Sequence, residues 1–277
     1  MGNSWDLQAI ERIKNVDKVR TAPERIIPHY TNAEGVAEHS ARYTWAAQRV
    51  SGRVLDLGCG VGYGGQILLS SNTAVKEVIG VDVSSDALEY ATRTYASESL
   101  GFVRADACRL PFSDHSFDAI VSFEAIEHVK EPVALFKEAK RTLRPGGKFL
   151  VSTPNKYLTS PLSSRPLNPH HQWEWYPKQF VGLAQEHFTI AGMYGQNWFS
   201  TKIFFHVFSR DLRTLLKVAL DRLGMFYPLR RIYRRLHPYR PAAIMDSVET
   251  LLPGFTPEPF SRHPRLLPGV VIVEATS

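Results

Sequence analysis

Residues 54–65 read Val-Leu-Asp-Leu-Gly-Cys-Gly-Val-Gly-Tyr-Gly-Gly. A short apolar strand runs into an acid and then into a glycine-rich turn. Glycine tolerates positive φ and lets a ligand press against the backbone. The turn therefore predicts a cradle at the carboxyl end of a strand, where open α/β sheets bind ligands. Asp56 sharpens the reading. A carboxylate at the strand end, just before Gly58, would repel a pyrophosphate and suits a ligand carrying an ammonium and a sulfonium. A rival match exists, because residues 60–65 also satisfy G-x-G-x-x-G, with Asp82 about 20 residues further on, as in dinucleotide folds. That pattern alone is weak. The order strand, acid, Gly-x-Gly-x-Gly is more specific.

Outward from this turn, strands alternate with helices. Apolar or near-apolar runs predict strands over residues 53–57, 77–83, 101–105, 117–123, 148–152, 187–195 and 270–275. Helices are predicted over 33–50, after the glycine turn through Ile67-Leu68-Leu69, over 85–95 with Ser84 or Ser85 as cap, and over 132–143. One more is expected around residues 6–16. The alternation means a doubly wound, mostly parallel sheet in an α/β domain.

The chain has 277 residues and is 44% hydrophobic, enough for one large α/β domain with an elaboration. It has no apolar run of 18 residues and no basic-then-apolar start, so neither a membrane span nor a secretory signal is predicted. Two cysteines, Cys59 and Cys108, suggest neither a disulfide framework nor a metal cluster. A reduced, cytoplasmic protein is the expectation.

Net charge is +6, concentrated in one segment. Between Ser200 and Pro241, ten Lys/Arg face only Asp211 and Asp221, a local +8. Arg230, Arg231, Arg234 and Arg235 could bind phosphate. The targets that fit are RNA, a nucleotide- or diphosphate-linked sugar, or an anionic membrane surface contacted peripherally. Interleaved Phe204, Phe205, Phe208, Leu215, Leu216, Phe226 and Tyr227 favour a peripheral amphipathic contact or a substrate lid over a nucleic-acid groove. A helix candidate covers residues 205–223.

The glycine turn resembles motif I of class I S-adenosylmethionine (SAM)-dependent methyltransferases at Asp56, Gly58, Gly60 and Gly62. The resemblance covers roughly residues 36–195 and the last strand. It implies a Rossmann-like, doubly wound sheet of seven strands, the last inserted antiparallel between strands 5 and 6. The chain is then a single domain over 1–277, with an N-terminal extension (1–35) and a basic insertion or lid (197–266). Asp82 ends strand 2, where a carboxylate can accept both hydroxyl hydrogen bonds of a ribose. The resemblance places Asp106 beside the adenine amino group with the Ala107 backbone near the ring, and adds Val83 and Phe123 to the cofactor site. Phe112 is expected near the adenine too. The alternative for Asp82 and Asp106 is that they cap the helices that follow. Upstream, Glu38-His39-Ser40-Ala41-Arg42-Tyr43 resembles the Glu-His-x-x-Arg-Tyr helix of bacterial small-molecule and glycan methyltransferases. There Arg42 could hold the SAM carboxylate through forked hydrogen bonds, or be a surface arginine on an amphipathic helix.

The acceptor side follows strand 4. If a helical turn starts at Glu124, then Glu124, Glu127 and His128 share one face. Two carboxylates and an imidazole there make a divalent-metal half-site, for Mg²⁺ or Mn²⁺. Further on stands Asn168-Pro169-His170-His171-Gln172-Trp173-Glu174-Trp175. It resembles the Asn-Pro-x-His-x-x-Glu segment of bacterial sugar and polysaccharide methyltransferases. Glu-x-x-Glu-His with a later histidine is similar to the metal site of small-RNA 3′-end 2′-O-methyltransferases. Ubiquinone-pathway O-methyltransferases share the Glu-x-x-Glu-His element. His171, with His170 as fallback, could complete a Glu124/Glu127/His128/His171 metal site. Without metal, His128 or His171 would serve as general base, since an unassisted hydroxyl attacks poorly. Trp173 and Trp175 could face sugar rings or bases, or simply pack the loop. The reading is a SAM-dependent O-methyltransferase of a hydroxyl on a sugar or glycan-like small molecule. The alternatives are an RNA 3′ ribose, a quinone-like phenol, or a non-catalytic SAM-binding protein.

Overall fold

The computed structural model describes residues 26–28, 31, 33–200, 209, 212, 255–263 and 266–277. The helix expected over 6–16 and most of the basic stretch lie outside the described residues.

In chain order, α1 (Ala33–Ala47), β1 (Gly52–Leu57), α2 (Tyr63–Ser71), β2 (Val75–Asp82), α3 (Ser85–Tyr95) and β3 (Leu100–Arg104) come first. Then follow β4 (Phe117–Phe123), a 3₁₀ turn (Ile126–His128), α4 (Pro132–Thr142), β5 (Leu143–Pro154), α5 (Lys156–Thr159) and α6 (Pro177–Gln185). The chain closes with β6 (Thr189–Ser200), β7 (Glu258–Pro259), a second 3₁₀ turn (Phe260–Arg262) and β8 (Leu266–Thr276).

One eight-stranded sheet runs β3-β2-β1-β4-β5-β8-β6-β7. The first five of these pair parallel, and β8 lies antiparallel to both β5 and β6, as expected. The expected strand count is one short. β7 adds two residues at the edge, opposite Tyr194 and Gly195. A strand that short, ending in Pro259, suits an edge, where proline's missing N–H breaks no ladder. The insertion boundary also shifts, since Trp198–Ser200 still pair with Leu266–Pro268.

Side-chain alternation along β1 organises the core. Val54 joins Tyr43, Trp45 and Leu68 in a cluster on the α1–α3 side, while Leu55 and Leu57 join Leu135, Phe136 and Phe180 on the α4/α6 side. Period-2 geometry then puts Asp56 on the same face as Val54. Ser84 is the observed α3 cap, its side chain accepting from the Ala87 N–H. β1 pairs with both β2 and β4, so the chain reverses direction across the sheet at its carboxyl end. Such switch points are where doubly wound sheets leave a crevice.

Candidate active site

A cavity of about 990 Å³ opens at this switch point. At one end lie Gly58, Gly60, Asp82, Val83, Asp106 and Ala107; at the other lie Glu124, Glu127, His128, Asn168, His170 and His171. Phe123 lines it between them. The residues expected for cofactor and acceptor thus share one space.

The cradle itself is built by Gly58 and Gly60, at φ 82° and 54°. A Cβ at Gly58 would stand 2.5 Å from the Ala125 Cβ, so the β1 turn packs directly on the β4 turn. A Cβ at Gly60 would meet nothing within 4 Å. It would fill open cavity space that a ligand can use. Gly62 plays another part: at φ 84° it precedes α2, and a Cβ there would lie 2.6 Å from the Phe102 ring. It serves close packing and does not line the cavity.

Asp82 is tied into the cradle, one oxygen accepting from the Gly60 N–H at 2.9 Å and the other from Ser84 N–H at 2.8 Å. Asp82 also lines the cavity. Asp106 accepts from the Cys108 N–H at 2.8 Å within a loop, so the alternative of a helix cap does not apply to it. Phe112 is not at the cavity; it packs edge-on to Phe117 in the core.

Asp56 and Arg42 differ most from expectation. Asp56 is buried beneath the cradle and does not line the cavity. One oxygen accepts from the Tyr43 hydroxyl at 2.9 Å, and the other has no hydrogen-bond partner among the described residues. Burial pushes its carboxyl up to about 7, against the Tyr43 hydrogen bond and helped by the nearby Asp82 charge. Arg42 is neither a surface residue nor a cavity wall. It is fully buried. Its Nε donates to Gln196 at 2.9 Å, and its Nη2 donates to Glu38 at 3.0 Å. Its Nη1 stands 3.6 Å from Glu124. Arg42 thus ties α1 to β6 and to the turn after β4. Beside it, His39 lines the cavity, and burial, then Arg42, hold its imidazole well below the usual range.

The single helical face expected for Glu124, Glu127 and His128 is not formed. Glu124 sits at φ 51°, and the 3₁₀ turn begins only at Ile126. Its carboxylate turns back to accept from the Ser152 hydroxyl at 2.8 Å. Three ligand atoms do converge: those of Glu127, His128 and His171 lie within 4.8 Å of one another, and Glu124 is not in that group. Burial, then the Glu124 charge, pushes the Glu127 carboxyl well up.

The loop carrying His171 is anchored where Gln172 and Trp173 N–H groups donate to the Glu127 carbonyl at 2.7 and 3.1 Å. His170 also lines the cavity, and its carbonyl meets His128 Nδ1 at 3.0 Å. Trp173 and Trp175 stack at 6.3 Å, but neither lines the cavity, and Trp175 packs on Phe180 of the core. Sequence reasoning assigned no role to Glu174, Asn168 or His39. The available signals were the Asn-Pro-x-His-x-x-Glu segment, which holds Asn168 and Glu174, and the Glu-His-x-x-Arg-Tyr helix, which holds His39.

Among the described residues, five carboxylates line the cavity against a single lysine, Lys130. That balance disfavours a dinucleotide pyrophosphate and fits a cationic ligand. Residues 55–151 match the family model described as "Methyltransferase domain". A Mycolicibacterium smegmatis protein named "Probable S-adenosylmethionine-dependent methyltransferase" is 36% identical over 170 residues, covering 58% of this chain and 62% of that protein. The fatty-acid O-methyltransferase of the same organism is 38% identical over 188 residues, 66% of this chain and 62% of that one. A SAM-dependent methyltransferase structure from Mesorhizobium loti aligns with a TM-score of 0.52 at 18% identity, covering 85% of this chain and 98% of that one. At that identity the likeness is one of fold. This chain spans only 57–62% of the length of the first curated relatives it matches. Sheet order, cradle and domain match together make this the Rossmann-like class I methyltransferase fold.

Proposed function

We propose that the chain is a SAM-dependent O-methyltransferase acting on a hydroxyl of a sugar or glycan-like acceptor. The observation that carries this reading is the one cavity joining the Gly58/Gly60 cradle to the histidine end. Asp82 and Asp106 are positioned to hold polar groups of the nucleoside, and Gly60 leaves room for it. Bound there, SAM supplies a methyl on a sulfonium, and the C–S electron pair stays on sulfur when the methyl leaves. The chain's own task is to orient the acceptor and take its proton. An oxygen acceptor needs that help, and His128 and His171 are the candidates.

The acceptor end favours a polyhydroxy molecule over an acyl chain. Among the described residues, it offers imidazoles, Asn168 and carboxyl groups beside the apolar Ala125, Val129 and Pro154. One observation favours a second reading. The convergence of Glu127, His128 and His171 could hold a Mg²⁺ or Mn²⁺ ion that lowers the acceptor pKa. Burial holds the Glu127 carboxyl well above its ordinary range, and a metal would favour its ionised form.

The test is transfer of labelled methyl from SAM to a panel of glycan, RNA, phenolic and fatty-acid acceptors, with and without EDTA. Turnover on glycans that survives EDTA supports the proposal. Turnover confined to fatty acids, RNA or phenols would refute the acceptor class, and SAM binding without turnover on any acceptor would favour a non-catalytic SAM-binding protein.

A further inference from the structure

Among the tryptophans, tyrosines and phenylalanines of the described residues, Trp173 is the most exposed, at 45%. Leaving that much carbon in water is unfavourable, yet the ring is not loose. Its Nε1–H donates to the Lys130 carbonyl at 3.1 Å, and its backbone N–H donates to the Glu127 carbonyl at 3.1 Å. The ring lies within 15° of parallel to Trp175, which packs on buried Phe180. The indole is therefore a plate fixed before anything binds, and a ligand that covers it has little rotamer entropy left to overcome.

Its anchors place the plate. Glu127 and Lys130 both line the acceptor end of the cavity, and so does His171, two residues earlier in the same loop. Trp173 itself does not line the cavity, so it stands on the rim at the acceptor side. Its indole N–H is already used, so what it offers outward is carbon. Beside it, Lys130 and Glu131 are exposed and line the cavity, and they supply a donor and an acceptor. An apolar plate with polar groups at its edge matches a sugar ring, which carries C–H bonds on its face and hydroxyls around its rim. A fatty-acyl chain would need an unbroken apolar track, and the residues that join the plate to the cavity are Glu127, Lys130 and His171. A nucleic acid would bring phosphates to a cavity where, among the described residues, five carboxylates meet one lysine.

We propose that Trp173 is the floor of an outer sugar subsite, so that the acceptor is a neutral oligosaccharide of two or more units rather than a single sugar; this rests on the sugar O-methyltransferase reading. One ring sits inside the cavity with its hydroxyl at the histidine end. The next ring outward lies on the indole, and Lys130 and Glu131 take its hydroxyls. The outer ring takes no part in bond making or breaking. It binds equally before and during methyl transfer, so its contribution shows as a lower KM for the acceptor rather than a higher kcat.

The test measures labelled-methyl transfer from SAM by the full-length protein to glucose, mannose and galactose series of one to four units. In the series that is accepted, kcat/KM should rise about 10-fold or more from one unit to two, mostly through KM. Tenfold is about 1.4 kcal/mol, what roughly 55 Å² of carbon surface withdrawn from water supplies at about 25 cal/mol per Å². Trp173→Ala should erase that rise. Trp173→Phe should keep part of it, since the plate needs a ring and not the inward N–H. SAM affinity by calorimetry reports whether each variant is folded, and the wild-type length profile decides by itself where one is not. Equal kcat/KM for one unit and for two overturns this inference alone. So does a rise that survives in Trp173→Ala, or a Trp173→Ala loss of the same fold at every chain length, which would make the indole loop packing only. Transfer to no saccharide of any length overturns the parent reading and this one with it. Transfer to RNA ends instead, weakened by Trp173→Ala, would give the plate to a base and overturn both.

Discussion

Replacing Asp56 by Asn should flatten the pH dependence of stability. Asp56 is 1% exposed, and its carboxyl is pushed from the ordinary 3.8 to about 7. For an acid with a raised folded pKa, the unfolded chain gives up its proton first. Its stabilising contribution is therefore full below pH 3.8 and lost progressively until about pH 7, then constant. Each unit is worth about 1.4 kcal/mol, so the whole loss is about 4 kcal/mol. Between pH 5 and pH 8 the lost part is about 2.7 kcal/mol, the two units from 5 to 7. Asparagine cannot ionise and removes this term. It also places an NH₂ where the carboxyl oxygen has no partner, costing about 1–3 kcal/mol at every pH. The static cost cancels in the comparison. Urea unfolding of both proteins at pH 5 and pH 8 should show the variant gaining about 2–3 kcal/mol on the wild type as pH rises. Parallel curves for the two proteins would refute the argument that this carboxyl is held neutral.

Five other outcomes are expected. Gly62→Ala, forced to φ 84° with its Cβ 2.6 Å from Phe102, should lose at least about 1–3 kcal/mol of stability in denaturant melts. Gly60→Ala should lose SAM affinity by calorimetry more than it loses stability, because its Cβ meets nothing but cavity; the reverse ranking would reject the cradle. Asp82→Ala should weaken SAM by about 1.5–3 kcal/mol, the worth of hydrogen bonds to a charged group, and tight NAD binding in its place would sink the cofactor assignment. EDTA should leave methyl transfer intact, and inactivation that Glu127→Ala reproduces would move the chemistry to the metal reading. For the +8 segment between Ser200 and Pro241, flotation should show salt-sensitive binding to anionic vesicles, and equal recovery with neutral ones would reject membrane docking.

The cradle end of the cavity was legible because its signals are local. Apolar runs of strand length mark β1, β2 and β4, and positive φ at Gly58 and Gly60 is a property of the residue type. Asp82 and Asp106 needed only their place at strand ends. Asp56 was misdirected although the information was present. Its alternation with Val54 sends it toward Tyr43, under the cradle, and Gly64 makes room there, since a Cβ on it would lie 2.2 Å from the Tyr43 ring. Arg42 was not legible at all. Its burial depends on Gln196, 154 residues away, and on the turn holding Glu124. The eighth strand was missed because two residues ending in proline carry no periodicity.

The acceptor side shows why spacing alone is an unsafe guide to a site. Glu124 and Glu127 stand three apart, which in a helix puts two side chains on one face, and the structure does not form that face. The left-handed backbone at Glu124 uses the first residue to end the strand, so the turn starts two residues late. His171 and Glu174 also stand three apart, in a loop where no rule of facing applies, and they meet at 2.9 Å. What brings them together is the anchoring of that loop. Gln172 and Trp173 donate to the Glu127 carbonyl, and Ser160 holds Glu174 from behind. The setting of His171 therefore comes from contacts between distant segments. A buried carboxylate is held there because the Ser160 hydroxyl and the His171 ring converge on it.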